Sequence, residues 1–385
     1  MADDTPPPPP VPNRAVQHKT EDTSTYPCAS CGAQLAFDPA TQKLKCPSCG
    51  NVQDVVTDAH RETAERDFAA AVAALKAAAG TGPMLEDEKE VVCQSCGGHT
   101  TFTGTLTSTR CPYCATPIQR DDVHDAPARL NVDGVLPFKV DEKKAREVVE
   151  SWINGRRFAP SEFKKYKQTG SFASVYAAYF TYDADADTEY VGRRGEEYTV
   201  TVRVGDNEQT VTRVRWYPAS GQVNNQFDDV CVLANDGFHH DKVTELEPWP
   251  TADAVPFSKE YVAGHLCRTY DNDVEACFPE ATARMASEID KTIRGDIGGD
   301  RQEVLHKSTS YRSLTFKHLL LPIWLLTVIY AGKPFQVFIN GVTGEVQGQR
   351  PWSKVKIAAL VVVLLIIAIA IVVLVVANRS DPGTT

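Results

Sequence analysis

The residues of this chain best suited to chemistry are cysteines that come in pairs. Cys28 and Cys31 form one C-x-x-C pair and Cys46 and Cys49 a second, with fourteen residues between the pairs. The arrangement then repeats at the same spacing, with Cys93 and Cys96 followed by Cys111 and Cys114. Two such knuckles present four sulfurs at a bite that suits tetrahedral zinc, with Zn–S bonds of ~2.3 Å. The gap is just short of the roughly 15–20 residues usual between such knuckles, and it suits a short hairpin with "AQLAFDP" and "QKLKC" as strands. Glycine follows the second cysteine in "CASCG", "CPSCG" and "CQSCG". It lets the backbone turn so that amides donate to sulfur. Ala115 in "CPYCA" departs from this and predicts a looser fourth knuckle. Four thiolates fill the shell and leave no position for water or substrate, so both sites are expected to be structural. Zinc binding worth ~10–16 kcal/mol per site would fold ribbons too small to hold a core. The expectation is two structural Zn²⁺ on these eight cysteines, with His99 outside the shell.

Other candidates are weaker. Asp183, Asp185 and Asp187 in "DADAD" fall at strand period on one face, but the Gly and Glu of an EF-hand loop are missing. A solvated face is the expectation, with weak divalent binding as the alternative. "CVLANDGFHHD" gathers Cys231, His239, His240 and Asp241, a possible nucleophile or third metal group, without a visible orienting arrangement. Cys267 and Cys277 read as core thiols. No G-x-x-x-x-G-K-[ST], G-x-S-x-G or H-E-x-x-H occurs, so the chain is read as non-enzymatic.

The elements that must position these residues follow from composition and pattern. At 385 residues, 42% apolar and 23% charged, the chain has the make-up of an ordinary globular protein of two to three folding units. A net charge of −10 argues against coating nucleic acid as its main task. The ribbons offer Lys43, Lys45, Arg110 and Arg120 with Phe37, Phe102 and Tyr113 for stacking, fewer charges than a phosphate-tracking surface gathers. Protein contact is preferred.

Residues 1–24, with Pro6 to Pro10 in a row, read as a disordered Pro-rich tail. Zinc ribbon 1 occupies 25–54, a helix and linker 55–90, and zinc ribbon 2 91–122. The helix is expected to start at Thr57 or Asp58, to show Phe68, Val72 and Leu75 on one face, and to stop at Gly80. Residues 123–351 read as an α+β cytosolic domain, mainly antiparallel, with "VLPFKV" as strand and "DEKKAREVVESWINGRRF" as helix. A second helix is placed from near Pro279, and turns at "YAGKPF" and "INGVTGEV". "LLLPIWLLTVIY" at 319–330 is short and contains Pro322, so it reads as a buried strand, with Trp324, Phe335 and Phe338 in the core.

Ile357 to Ala377 is twenty-one residues without a charge, glycine or proline. As a helix it spans ~31 Å, the thickness of a bilayer's hydrocarbon core. Residues 378–385 form a short tail. Arg350, Lys354 and Lys356 precede the span, whereas Arg379 alone follows it with Asp381 nearby. The positive-inside rule keeps the N-terminal bulk in the cytoplasm. The absence of an apolar leader and the need for reduced thiols point to the same compartment. The reading is a single-pass protein of the cell membrane, anchored at its C-terminus.

Two ribbons, "VLPFKVDEKKAREVVESWINGRRFAPSEFKK", "YAAYFTYDADADTEYVG", "LEPW", "RGDIGGD" and "TFKHLLLPIWLLTVIYAGKPFQVFINGVTGEVQGQRPWSKVKI" carry a likeness over nearly the whole chain after the tail. The chain resembles bacterial TFIIB-type zinc-ribbon membrane proteins, which are often labelled primosomal protein N-prime or replication-restart helicase. A helicase needs the nucleotide cradle that this chain lacks. The resemblance implies a membrane-stress setting and a scaffold or recruitment role. Its partners would be phage-shock-protein-A-like or flotillin-like proteins at the inner face of the membrane. Only the eight cysteines and the span carry over; no catalytic residue does. The expected function is a non-enzymatic, membrane-anchored adaptor, the alternative a membrane-tethered nucleic-acid binder.

Overall fold

The computed structural model describes residues 26–56, 63–78, 88–92, 99–103, 106–110, 117–119, 130–163, 170–204, 207–331 and 333–379. The chain is a mixed α+β protein. Its strands are β1 (Ala36–Asp38), β2 (Lys43–Lys45), β3 (Val52–Gln53), β4 (Arg66–Asp67), β5 (Glu88–Val92), β6 (His99–Thr103), β7 (Leu106–Arg110), β8 (Pro117–Gln119), β9 (Gly134–Val135), β10 (Gly170–Val204), β11 (Asn207–Leu233), β12 (Val255–Pro256), β13 (Leu266–Arg268), β14 (Arg301–Tyr330), β15 (Lys333–Asn340) and β16 (Val346–Gly348). Its α-helices are α1 (Phe68–Ala78), α2 (Glu142–Asn154), α3 (His240–Thr244), α4 (Val274–Ile297) and α5 (Lys354–Arg379).

Contacts divide the chain into two units, one of Met1–Phe138, Val175–Gly237 and Pro250–Pro322, the other of Lys139–Ser174, Phe238–Trp249 and Ile323–Thr385. In the first, strands run in the order β12-β9-β14-β10-β13-β7-β8, with β11 on β10 and β4 on β14. β10–β13 and β14–β9 are parallel pairs, whereas β10–β11, β12–β9, β13–β7, β14–β4 and β7–β8 are antiparallel, so the sheet is mixed but mainly antiparallel. β10 and β11 form one long hairpin, in register from Tyr179↔Leu233 to Val204↔Asn207, with a bulge between Tyr182 and Ala184. Alternating Val, Tyr and Thr suit such strands, whose side chains fall on two faces. Gly192 marks a close approach: a Cβ there would meet the Glu303 carbonyl oxygen at 2.5 Å.

α4 covers one face of this sheet. The Asp273 carboxylate accepts from the Ala276 N–H to cap it, and Gly298, at φ 65°, ends it. Ile289, Ile293 and Ile297, one turn apart, pack on Ala186, Tyr190 and Val223. The helix starts five residues before Pro279, earlier than the sequence reading placed it, because Asp273 caps it and the proline sits near its start. α1 is also shorter than expected. Residues 63–67 are not helical, and Asp67 caps the helix through the Ala70 N–H. Thr57, Asp58 and Gly80 lie outside the described residues. Phe68, Val72 and Leu75 do share the less exposed face, and Phe68 packs on Phe278 with ring centroids 4.8 Å apart.

In the second unit, Asp141 caps α2, whose Ala145, Val149 and Ile153 are buried. β15 pairs with the end of β14 from Ile323↔Asn340 to Tyr330↔Lys333, and β16 pairs with β15. The 319–330 stretch is therefore strand, as its length and Pro322 indicated. Trp324 is buried; it stacks on Phe172 and donates to the Val140 carbonyl at 2.9 Å. "VLPFKV" is strand only at its edge, since β9 ends at Val135 and Leu136 and Phe138 are buried outside regular structure.

Candidate metal centre

The first cysteine tetrad is brought together. The sulfurs of Cys28, Cys31, Cys46 and Cys49 lie within 4.8 Å of one another, and Cys28–Cys49 and Cys31–Cys46 are 3.7 and 3.5 Å apart. Four sulfurs at ~2.3 Å around a tetrahedral ion stand ~3.8 Å apart, so the group fits zinc. The two knuckles have the same backbone plan. Cys28 N–H donates to Ala33 O and Gly32 N–H to Cys28 O; Cys46 N–H donates to Asn51 O and Gly50 N–H to Cys46 O. Gly32 and Gly50 sit at φ 74° and 76°, where a side chain would be strained. This is the turn the sequence required after each second cysteine.

Local amides prepare the sulfurs for a cation. The Ser30 N–H, against some burial and with help from Cys31, lowers the Cys28 thiol to about 6. The Cys49 and Ser48 amides lower Cys46 as well. Cys49 receives the Asn51 N–H, yet the neighbouring Cys31 and Cys46 thiols outweigh it and push it up to about 12. Four thiols this close cannot all ionise by themselves, and a divalent cation removes the conflict. The metal's contribution would be to hold the ribbon folded. Nothing in the geometry assigns it a reaction.

The ribbon is packed into the first unit. Leu35, Phe37 and Leu44 are buried, Phe37 N–H donates to Ala263 O at 3.0 Å, and the Phe37 ring meets Tyr261 at 5.3 Å. Phe37 is therefore unavailable for stacking on a base. Lys43 pairs with Asp54 and Lys45 with Asp38, which leaves this ribbon little free positive charge. Cys93, Cys96, Cys111 and Cys114 lie outside the described residues. β5 ends one residue before Cys93 and β7 one residue before Cys111, and β7 pairs with β8 and β13.

The other candidates are separated or engaged. Cys231 is buried on β11, while His239, His240 and Asp241 lie at the start of α3; among the described residues they form no metal-holding group. Cys267 and Cys277 are buried, and burial pushes each thiol up to about 12, as expected of core thiols. Asp185 and Asp187 are partly exposed, and Asp187 pairs with Arg312. Asp183 is different, only 8% exposed. It lies at the β10 bulge and accepts from the backbone N–H of Asp229, itself at φ 52°. It lines an open cleft of about 540 Å³ with Glu65 and Asp228. Lys317 pairs with Asp229 at 2.8 Å and with Glu65 at 3.6 Å, so the acidic group is partly balanced. Burial raises Asp183 to about 6, while burial at Asp229 is outweighed by Lys317, which holds it below the usual carboxylate range. Glu65, Asp228, Asp229 and Lys317 carried no local signal in the sequence; only the fold assembles them.

No family model matches the chain, and no solved structure matches it. The chain is similar to the uncharacterized protein YdjG of Bacillus subtilis (strain 168), with 25% identity over 338 residues, 87% of this chain and 92% of YdjG.

Proposed function

We propose that this protein is a membrane-anchored zinc-ribbon adaptor that brings a cytosolic protein partner to the inner face of the cell membrane. The observation that carries the reading is α5. It is long and apolar enough to cross a membrane, and its Lys354–Val373 stretch has no buried part. An exposed apolar surface of that extent calls for lipid or a partner to cover it. The Cys₄ ribbon supports a structural role, since a full thiolate shell holds shape without offering an open position. Two zinc ions are expected, the second on Cys93, Cys96, Cys111 and Cys114. By the resemblance, phage-shock-protein-A-like or flotillin-like proteins in membrane stress are the first partners to test.

The test compares the full chain with one lacking Ile357–Ala377, by alkaline extraction of membranes and crosslinked pull-down after detergent solubilisation. The expected result is loss of both membrane retention and co-localised partner on deletion. Unchanged retention would overturn the anchor. Recovery of nucleic acid in place of protein would move the reading to a membrane-tethered nucleic-acid binder.

A further inference from the structure

The loop after α2 and the start of α5 bring cations together with aromatic rings in one unit. Lys356 Nζ donates to Ala159 O at 2.7 Å and Arg157 O at 3.4 Å, and Ser353 N–H donates to Phe158 O at 2.9 Å. These bonds fasten 157–159 to the first turn of the apolar helix. The Arg350 guanidinium lies 4.4 Å from the Trp352 ring centre, Arg156 lies 4.2 Å from that of Trp152, and Phe158 stacks near Trp352. Trp352 is 55% exposed.

Charge here is unbalanced. Arg156, Arg157, Arg350, Lys354 and Lys356 have no ion-pair partner among the described residues, and no Asp or Glu occurs in 152–161 or 350–357. Arg156 Nε is buried without an acceptor. Burial and the nearby Arg350 charge both lower its pKa. Crowded guanidiniums are costly unless an anion sits between or beside them. A guanidinium stacked on a ring keeps its N–H edge free, and that edge matches a phosphate in two-point contact. Tryptophan at the start of an apolar helix belongs at headgroup depth, where lysine and arginine meet anionic lipid.

We propose that Arg156, Arg350, Trp352 and Lys354 form a site for the phosphodiester headgroup of an anionic phospholipid in the leaflet where α5 begins. The inference rests on the spanning reading of α5. It makes the collar a selector of lipid, beyond an electrostatic aid to orientation.

The experiment uses the full chain in vesicles of equal phosphatidylglycerol and phosphatidylcholine, checked by flotation after alkaline wash. The chain is then extracted in mild detergent, and its retained lipids are counted by native mass spectrometry. We expect phosphatidylglycerol to be retained at least about fivefold over phosphatidylcholine, and this preference to fall to near parity in the Arg156→Gln/Arg350→Gln variant. Arg350→Gln alone, on an exposed ring, should lose part of the preference, and Arg156→Lys/Arg350→Lys should recover part of it. Failure to float would overturn the span and the site together. Flotation without lipid preference would overturn the site alone. Displacement of the lipid by inorganic phosphate would overturn the lipid assignment in favour of a free-anion site.

Discussion

At the scale of single residues, the two groups the structure assembles differ in how far the sequence announces them. The Cys₄ group was legible because all four cysteines and both turn glycines lie within a short segment at fixed spacing, and Gly32 and Gly50 adopt the backbone that spacing demands. Changing the buried Cys46 to Ser should remove about one equivalent of zinc per chain, read by elemental analysis, and lower the melting temperature. Asp183 reads from the sequence as part of a solvated face, but it is buried where it accepts from Asp229 N–H, a residue more than forty positions away that Lys317 pairs in turn. Burial raises its folded pKa from the ordinary carboxylate range to about 6, so across that window the folded state binds a proton that the unfolded chain has released. Its contribution to stability therefore falls as pH rises through that window and is most unfavourable above 6. Asp183→Asn should match wild type near pH 4 and melt about 2–5 °C higher at pH 7. A constant difference across that range would show that desolvation of the charge is not the cause.

At the scale of elements, period and capping located helices and strands, but their ends were set by partners far along the chain. α1 begins at Phe68 because Arg66 and Asp67 pair with Phe316 and Thr315 of β14, a contact no local pattern displays. The β15–β16 turn was legible, and its grip comes from one side chain. Asn340 is fully buried; its Oδ1 accepts from Val342 and Thr343 N–H, and its Nδ2 donates to Leu246 O. Asn340→Ala should cost about 2–4 kcal/mol in a denaturant titration, because it strands several buried backbone groups. Gly192→Ala should cost at least about 2 kcal/mol by the same measurement, since its Cβ collides with the backbone carbonyl of Glu303, which a side-chain shift at Ile297 does not relieve. A neutral result at Gly192 would mean that β10 and β14 can part at that point.

At the scale of the whole molecule, the apolar run gives the clearest sequence signal, because one segment alone meets the length a bilayer sets. The orientation we propose rests on the charges flanking it, Arg350, Lys354 and Lys356 before and Arg379 after. Protease added to sealed inside-out vesicles should digest the bulk of the chain and leave a protected fragment containing α5. In right-side-out vesicles the bulk should survive, and the opposite pattern would reverse the topology. What the sequence concealed is how β10 and β11 extend past their neighbours. β14 begins at Arg301, which ion-pairs with Glu197 at 2.7 Å, yet β10 continues paired with β11 to Val204. At ~3.3 Å per residue that leaves about 23 Å of two-stranded ribbon beyond β14. Removing two residues from each strand would retract the tip by ~7 Å and keep every side chain on its face, whereas removing one would turn them all over. The reach of this arm is therefore quantised, adjustable in steps of ~7 Å and in none smaller.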